Sequence, residues 1–214
     1  MTELRGLYVV TPDDRLLARL SALVEMALEG GARIVQYRNK QAPPPLRRAQ
    51  AAELLRICRA HGARLIVNDD VWLAVEIGAD GAHVGREDYP GGRLAAARDA
   101  LGPNRLLGVS CYNELACAEA AAAAGADYLA FGSVFPSVTK PHAVRVSLDI
   151  IGQAKQRFGL PVAAIGGITA KNAAGVIAAG ADMVAVVSDL FDAMDIRRRA
   201  GEFLQLFDRS EVSR

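Results

Sequence analysis

Gly78-Ala79-Asp80, Gly125-Ala126-Asp127 and Gly180-Ala181-Asp182 are three copies of one phrase. Each closes a stretch of helical character and opens a short β-branched or apolar run. Glycine supplies the left-handed backbone position that ends a helix, and the two residues after it turn the chain into a strand. Segments 30–33 and 61–64 are looser copies. The phrase therefore marks β-α units rather than a solenoid.

Working outward from these marks, strands are predicted at 7–10, 33–37, 64–67, 81–84, 106–109, 128–131, 162–165 and 183–187. Helices are predicted between them at 16–29, 46–60, 71–77, 93–100, 114–124, 148–157, 173–179 and 190–207. Eight units in 214 residues leave about 27 residues each, enough for a strand, a helix and two short loops. Alternating β-α units require a parallel sheet covered by helices. An open doubly wound sheet satisfies that, but eight regular units suit a closed barrel, a single-domain (β/α)8 (TIM) fold over residues 1–214.

Apolar residues make up 51% of the chain and charged residues 23%, which supports a sizeable core and excludes wholesale disorder. A net charge of +1 offers no field for nucleic acid or a lipid surface. The only apolar run near the start, residues 7–10, is too short for a signal peptide or a membrane span. Three cysteines without a C-x-x-C pair imply neither a disulfide framework nor a zinc cluster, and a reducing, cytoplasmic setting is expected.

In a barrel of this kind the chemistry sits at the carboxyl ends of the strands. Strand two ends in Gln36-Tyr37-Arg38-Asn39-Lys40, where period two puts Gln36, Arg38 and Lys40 on one side. Two cations and an amide there suit a phosphorylated ligand, although a solvated basic strand end would read the same. Only four of the 25 basic residues are lysines, and two of them, Lys40 and Lys140, fall in rim loops. Strand three ends in Asn68-Asp69-Asp70, and Arg86-Glu87-Asp88 follows strand four. Asp69 and Asp88 thus offer two carboxylates to one space, a donor set for Mg²⁺ shared with substrate phosphates. Each acid taken alone also reads as a helix cap, and Asp70 and Glu87 are expected to be capping or surface acids. The long stretch from Gly132 to Ser147 carries Ser137, Thr139 and Lys140 between prolines and reads as a binding loop. Gly166-Gly167 after strand seven and Val187-Ser188 after strand eight stand where such barrels cradle a phosphate on backbone N–H groups. His83 is expected to be a hydrogen-bonded interior histidine, and Trp72 and the cysteines to be packing residues.

Taken in order, the segments 7–11, 36–40, 68–69, 78–88, 108–110, 135–140, 164–168 and 184–188 resemble thiamine-phosphate synthase across nearly the whole chain. The resemblance implies a barrel enzyme that joins aminopyrimidine-methyl diphosphate to thiazole-ethyl phosphate, or its carboxylated form, releasing diphosphate. By matching position it implies that Gln36, Tyr37, Arg38, Asn39, Lys40, Asn68, Ser110 and Lys140 hold the pyrimidine diphosphate. Arg38, Lys40, Ser110 and Lys140 would be the catalytic groups, and Asp69 and Asp88 would bind Mg²⁺. Ser137, Val138, Thr139, Gly167, Val187 and Ser188 would hold the thiazole phosphate. The implied partners are small phosphorylated substrates, not nucleic acid or membrane, and a homo-oligomer is left open.

Several positions depart from the common pattern of that family: Tyr37 for Leu, Asn39 for Glu, Asp70 for Arg, Arg86 for Gln, Ser133 for Pro and Ser137 for Thr. Tyr37 is expected to face the outer helices. A cation lost at Asp70 and regained at Arg86 predicts that these two pair or share one charge patch. Rival readings are a related thiazole tautomerase, a Schiff-base aldolase and a non-catalytic phosphometabolite-binding barrel. The first would lack the diphosphate and metal equipment. The second needs a lysine on a strand, and no predicted strand has one.

Overall fold

The structure, a computed structural model, describes residues 4–136 and 146–212. Eight parallel strands, β1 (Gly6–Val10), β2 (Ile34–Tyr37), β3 (Arg64–Asn68), β4 (Gly81–Val84), β5 (Leu106–Tyr112), β6 (Tyr128–Gly132), β7 (Val162–Ile165) and β8 (Met183–Val186), pair in sequence order. The ring closes where β1 pairs with β8, Leu7 opposite Val184 and Val9 opposite Val186. The architecture is the (β/α)8 barrel, and the open sheet is excluded.

The helices are α1 (Leu17–Glu29), α2 (Pro44–Ala60), α3 (Val71–Ile77), α4 (Leu94–Leu101), α5 (Leu115–Ala123), α6 (Asp149–Phe158), α7 (Ala173–Ala178), α8 (Ser188–Phe191) and α9 (Ile196–Val212). The single helix expected over 190–207 is two, α8 and α9. The carboxylate of Asp195 accepts the backbone N–H of Arg198, so a new helix is capped there. Among the described residues no helix is long and apolar enough to cross a membrane.

Alternation along each strand divides the core in two. Leu7, Val9, Val35, Leu65, Val67, Val109 and Leu129 face the helices, while Tyr8, Val10, Ile34, Ile66, Tyr128, Ala163 and Met183 fill the barrel. Burying a valine, leucine, isoleucine or methionine among them is worth about 1.5–3 kcal/mol. Gly108 makes room for the largest of the inner set, because a Cβ there would lie 2.0 Å from Cζ of Tyr128.

The three Gly-Ala-Asp phrases fasten the amino-terminal end of the barrel. Gly78, Gly125 and Gly180 all have positive φ, as the turn from helix to strand demands. Each aspartate then accepts a backbone N–H from the preceding strand: Asp80 from Leu65 (2.8 Å), Asp127 from Leu107 (2.7 Å) and Asp182 from Val162 (2.9 Å). Arg98 pairs with Asp127, and Lys155 with Asp182. This rigid base leaves the opposite rim to the site.

Candidate active site

The segment after β2 behaves as its alternation predicts. Gln36 points into the barrel, its Nε2 donating to the Tyr8 hydroxyl at 2.8 Å. Arg38 is half-buried, with Nη1 3.7 Å from Asp13, and the backbone N–H of Lys40 donates to the same carboxylate at 2.9 Å. Lys40 Nζ reaches across to Asp69 at 3.0 Å.

The two residues between them turn the other way, Tyr37 towards the outer helices as expected. Tyr37 is buried against α2, its hydroxyl donating to Gln50. Asn39 is buried as well, donating to Gln50 and to the carbonyl of Asp14 while accepting from the backbone of Ala42. These side chains hold the loop in place, so only their backbone is left to meet a ligand.

Asp69 follows β3 with φ of +65°, a left-handed position that aspartate tolerates better than most residues. Asp88 lies in a short 3₁₀ turn after β4, its Oδ2 accepting from the N–H of Gly85 at 3.0 Å. Partial burial and the neighbouring, hydrogen-bonding Asp69 carboxyl raise the Asp88 pKa, while Lys40 lowers it. Two acids crowded in this way are a ready place for a cation. No cluster of three or more His, Cys, Asp or Glu metal ligands occurs among the described residues. Asn68, at the end of β3, makes no side-chain hydrogen bond to a described residue.

The expected pairing of Asp70 with Arg86 does not occur. Asp70 caps α3 by accepting from the N–H of Leu73 at 2.9 Å, and it lies 3.7 Å from Arg47 of α2. Arg86 pairs with Glu114 at 2.8 Å and lies over the ring of Tyr112. The acid and the base open successive loops, and each turns to its own neighbour.

Ser110 of β5 sits below the rim, with its Oγ 2.9 Å from Nε2 of His83. His83 is indeed an interior residue, and its Nδ1 is 3.0 Å from the Tyr128 hydroxyl. Burial depresses its pKa to about 4, so the ring is neutral near pH 7. The Tyr8 and Tyr128 hydroxyls, 2.7 Å apart, complete the contact between opposite sides of the barrel. The sequence reading missed both tyrosines and Asp13. The available signal was position: Tyr8 and Tyr128 occupy inward places, where a phenol needs a hydrogen-bond partner.

Across the mouth, Gly166 and Gly167 both have positive φ. A Cβ on Gly167 would lie 2.4 Å from the carbonyl oxygen of Pro136, so only glycine lets residues 135–136 pack down on this turn. The backbone N–H groups of Gly167, Val187 and Ser188 donate to no described residue. Ser137, Val138, Thr139 and Lys140 lie outside the described residues. All three cysteines are free thiols, with Cys58 and Cys111 buried in the packing as expected.

Comparison with known proteins shows the family. Residues 7–190 match the family described as thiamine monophosphate synthase. The thiamine-phosphate synthase of Aromatoleum aromaticum is 54% identical over 207 residues, covering 97% of this chain and 98% of its own. That of Methylobacillus flagellatus is 51% identical, covering 96% of each. Among solved structures, thiamine phosphate pyrophosphorylase from Pyrococcus furiosus superimposes with a TM-score of 0.85 at 35% identity over 96% of both chains. A 3-hexulose-6-phosphate synthase aligns at TM-score 0.67 and 19% identity, a likeness of fold alone. With half of its residues shared over nearly its full length, on a barrel whose mouth gathers cations beside paired carboxylates, this chain belongs to the thiamine-phosphate synthase family.

Proposed function

We propose that the two stations at the barrel mouth serve the condensation of aminopyrimidine-methyl diphosphate with thiazole-ethyl phosphate, giving thiamine phosphate and diphosphate. The observation that carries this reading is the gathering at one rim of Arg38 and Lys40, both beside Asp13, with Asp69 and Asp88, Lys40 reaching Asp69 at 3.0 Å. Gln36, Asn68 and Ser110 line the pyrimidine end, and Lys40 and Arg38 face the diphosphate. Lys140, which lies outside the described residues, joins them by the resemblance of its sequence motif. The backbone N–H groups of Gly167, Val187 and Ser188, together with Ser137, Val138 and Thr139, receive the thiazole phosphate. Asp69 and Asp88 would hold Mg²⁺, which when bound supplies positive charge to the diphosphate oxygens.

The electron-rich aminopyrimidine ring lets the C–O bond to diphosphate break ahead of attack by the thiazole nitrogen. Neither reacting atom must lose a proton, so the chain needs charge stabilisation more than a base. Arg38, Lys40 and Lys140 meet charge that grows as diphosphate departs, and such groups act on kcat. The phosphorylated substrates and the reducing interior of a cell go together in this reading.

The test is diphosphate release in the presence of Mg²⁺, which should require both substrates. Lys140→Ala and Asp88→Ala should each lower kcat by roughly 100-fold or more, the scale of removing one transition-state electrostatic contact. Near-wild-type turnover in either variant, or diphosphate release from the pyrimidine substrate alone at the full rate, would contradict the assignment. The aldolase alternative finds no support, since no lysine lies on any of the eight strands.

A further inference from the structure

Five side chains form one hydrogen-bonded line through the barrel: Gln36, Tyr8, Tyr128, His83 and Ser110. They come from five different strands, and the first four are almost wholly buried. Each phenol brings one proton, and a neutral imidazole brings one. The order of those protons follows from the Gln36 end. Its amide N–H can only donate, so the Tyr8 oxygen accepts. The proton of Tyr8 then has one acceptor among the described residues, the oxygen of Tyr128. The proton of Tyr128 in turn passes to Nδ1 of His83. With Nδ1 an acceptor, the neutral ring carries its hydrogen on Nε2 and donates it to Ser110 Oγ. Ser110 donates to no described residue, so its own proton is left for whatever lies above it.

We propose that this line fixes the His83 tautomer and thereby makes Ser110 a hydrogen-bond donor to the bound substrate. Tyr8, Tyr128 and His83 are positioning residues. The inference rests on the reading that the pyrimidine binds against Ser110. It adds a rule of specificity: with its proton free, Ser110 can donate to an edge of the ring that presents a lone pair, a ring nitrogen. If the line ran the other way, Ser110 would spend its proton on His83 and could only accept from the substrate.

The test combines a spectroscopic readout with kinetics. In protein labelled with ¹⁵N at histidine, the His83 ring at neutral pH should show its proton on Nε2 and a bare Nδ1. Tyr128→Phe removes the donor to Nδ1, so the Nδ1–H tautomer should appear. The KM for the pyrimidine diphosphate should rise roughly five- to tenfold, the cost of one hydrogen bond, while the KM for the thiazole phosphate holds. A substrate analogue with C–H in place of the contacted ring nitrogen should lose affinity in the wild type but not in Ser110→Ala. An Nδ1–H ring in the wild type, alongside a normal loss in Ser110→Ala, overturns the proposal and leaves the site reading intact. Unchanged pyrimidine binding in Ser110→Ala overturns the site reading, and the proposal falls with it whatever the tautomer. A Tyr128→Phe protein with wild-type tautomer and wild-type KM also overturns it.

Discussion

Asp69 carries two demands at one position, a left-handed backbone and a carboxylate beside Asp88. The two can be separated. Asp69→Asn keeps a residue that tolerates the left-handed region, so stability should stay within about 0.5 kcal/mol of wild type; the half-exposed ion pair with Lys40 contributes little. Asp69→Ala should cost a further 1 kcal/mol or so, because a Cβ without a local polar partner is disfavoured there. Urea midpoints of the two variants distinguish these outcomes, and both should lose turnover through the missing charge. His83 gives a second prediction. In the unfolded chain an ordinary imidazole protonates near pH 6.5, whereas the folded one waits until about pH 4. Between those values the unfolded state binds more protons. The contribution of His83 is therefore fully present above about pH 6.5 and is lost as the pH falls towards 4, by at most about 3 kcal/mol. Stability of wild type and His83→Gln measured at several pH values should diverge in slope across that window and run parallel above it. Gln36, Arg38 and Lys40 were legible in the sequence because strand geometry alone puts alternate residues on one side. The Tyr8–Tyr128 contact was not, since it joins strands separated by 120 positions in the chain and lying on different sides of the ring.

At the scale of the element, the phrase that revealed the fold is also its fastening. Asp80, Asp127 and Asp182 accept strand N–H groups at the end of the barrel remote from the site. Removing one should therefore act on stability alone. Asp127→Ala leaves the N–H of Leu107 and the guanidinium of Arg98 without their carboxylate. A loss of about 1–3 kcal/mol is expected in denaturant unfolding, with kcat and both KM values unchanged. A comparable fall in kcat would mean that the base and the rim are not independent. The sequence revealed that a glycine would end each helix, because backbone freedom is a local property. It did not reveal the aspartate's partner, which lies on the strand before. The break between α8 and α9 was missed for a related reason. Residues 190–207 contain no glycine before Gly201 and no proline, and the stop depends on Asp195 choosing a cap over a helical turn. Of the two roles expected of Asp70, a cap or a surface acid, it takes the cap, yet the expected pairing or shared patch with Arg86 is replaced by separate partners, since charge compensation in a sequence carries no direction in space.

For the molecule as a whole, one end of the barrel is closed by backbone-to-aspartate bonds and the other gathers charged side chains around its mouth. Eight alternating units suggested a closed ring, but only the pairing of β1 with β8 distinguishes it from an open sheet. The asymmetry between the two ends predicts how ligands change stability. A ligand that binds only the folded state stabilises it in proportion to the logarithm of its saturation, about 2.7 kcal/mol at 100 times Kd. Mg²⁺ alone finds two crowded carboxylates and otherwise water, so it should raise Tm very little. Inorganic pyrophosphate alone meets Arg38 and Lys40, but it also meets the charge of Asp69 and Asp88, so its effect should be small too. Together each supplies what the other lacks, because phosphate oxygens complete the ion's shell and the ion screens the acids. The pair should raise Tm by roughly 5–10 °C for a chain of this size, well beyond the sum of the separate shifts. Asp88→Ala should abolish the excess while leaving any small pyrophosphate shift in place. Thermal unfolding with each ligand singly and then both makes the comparison. A full shift from either ligand alone would show that the cations and carboxylates of the mouth do not act as one site.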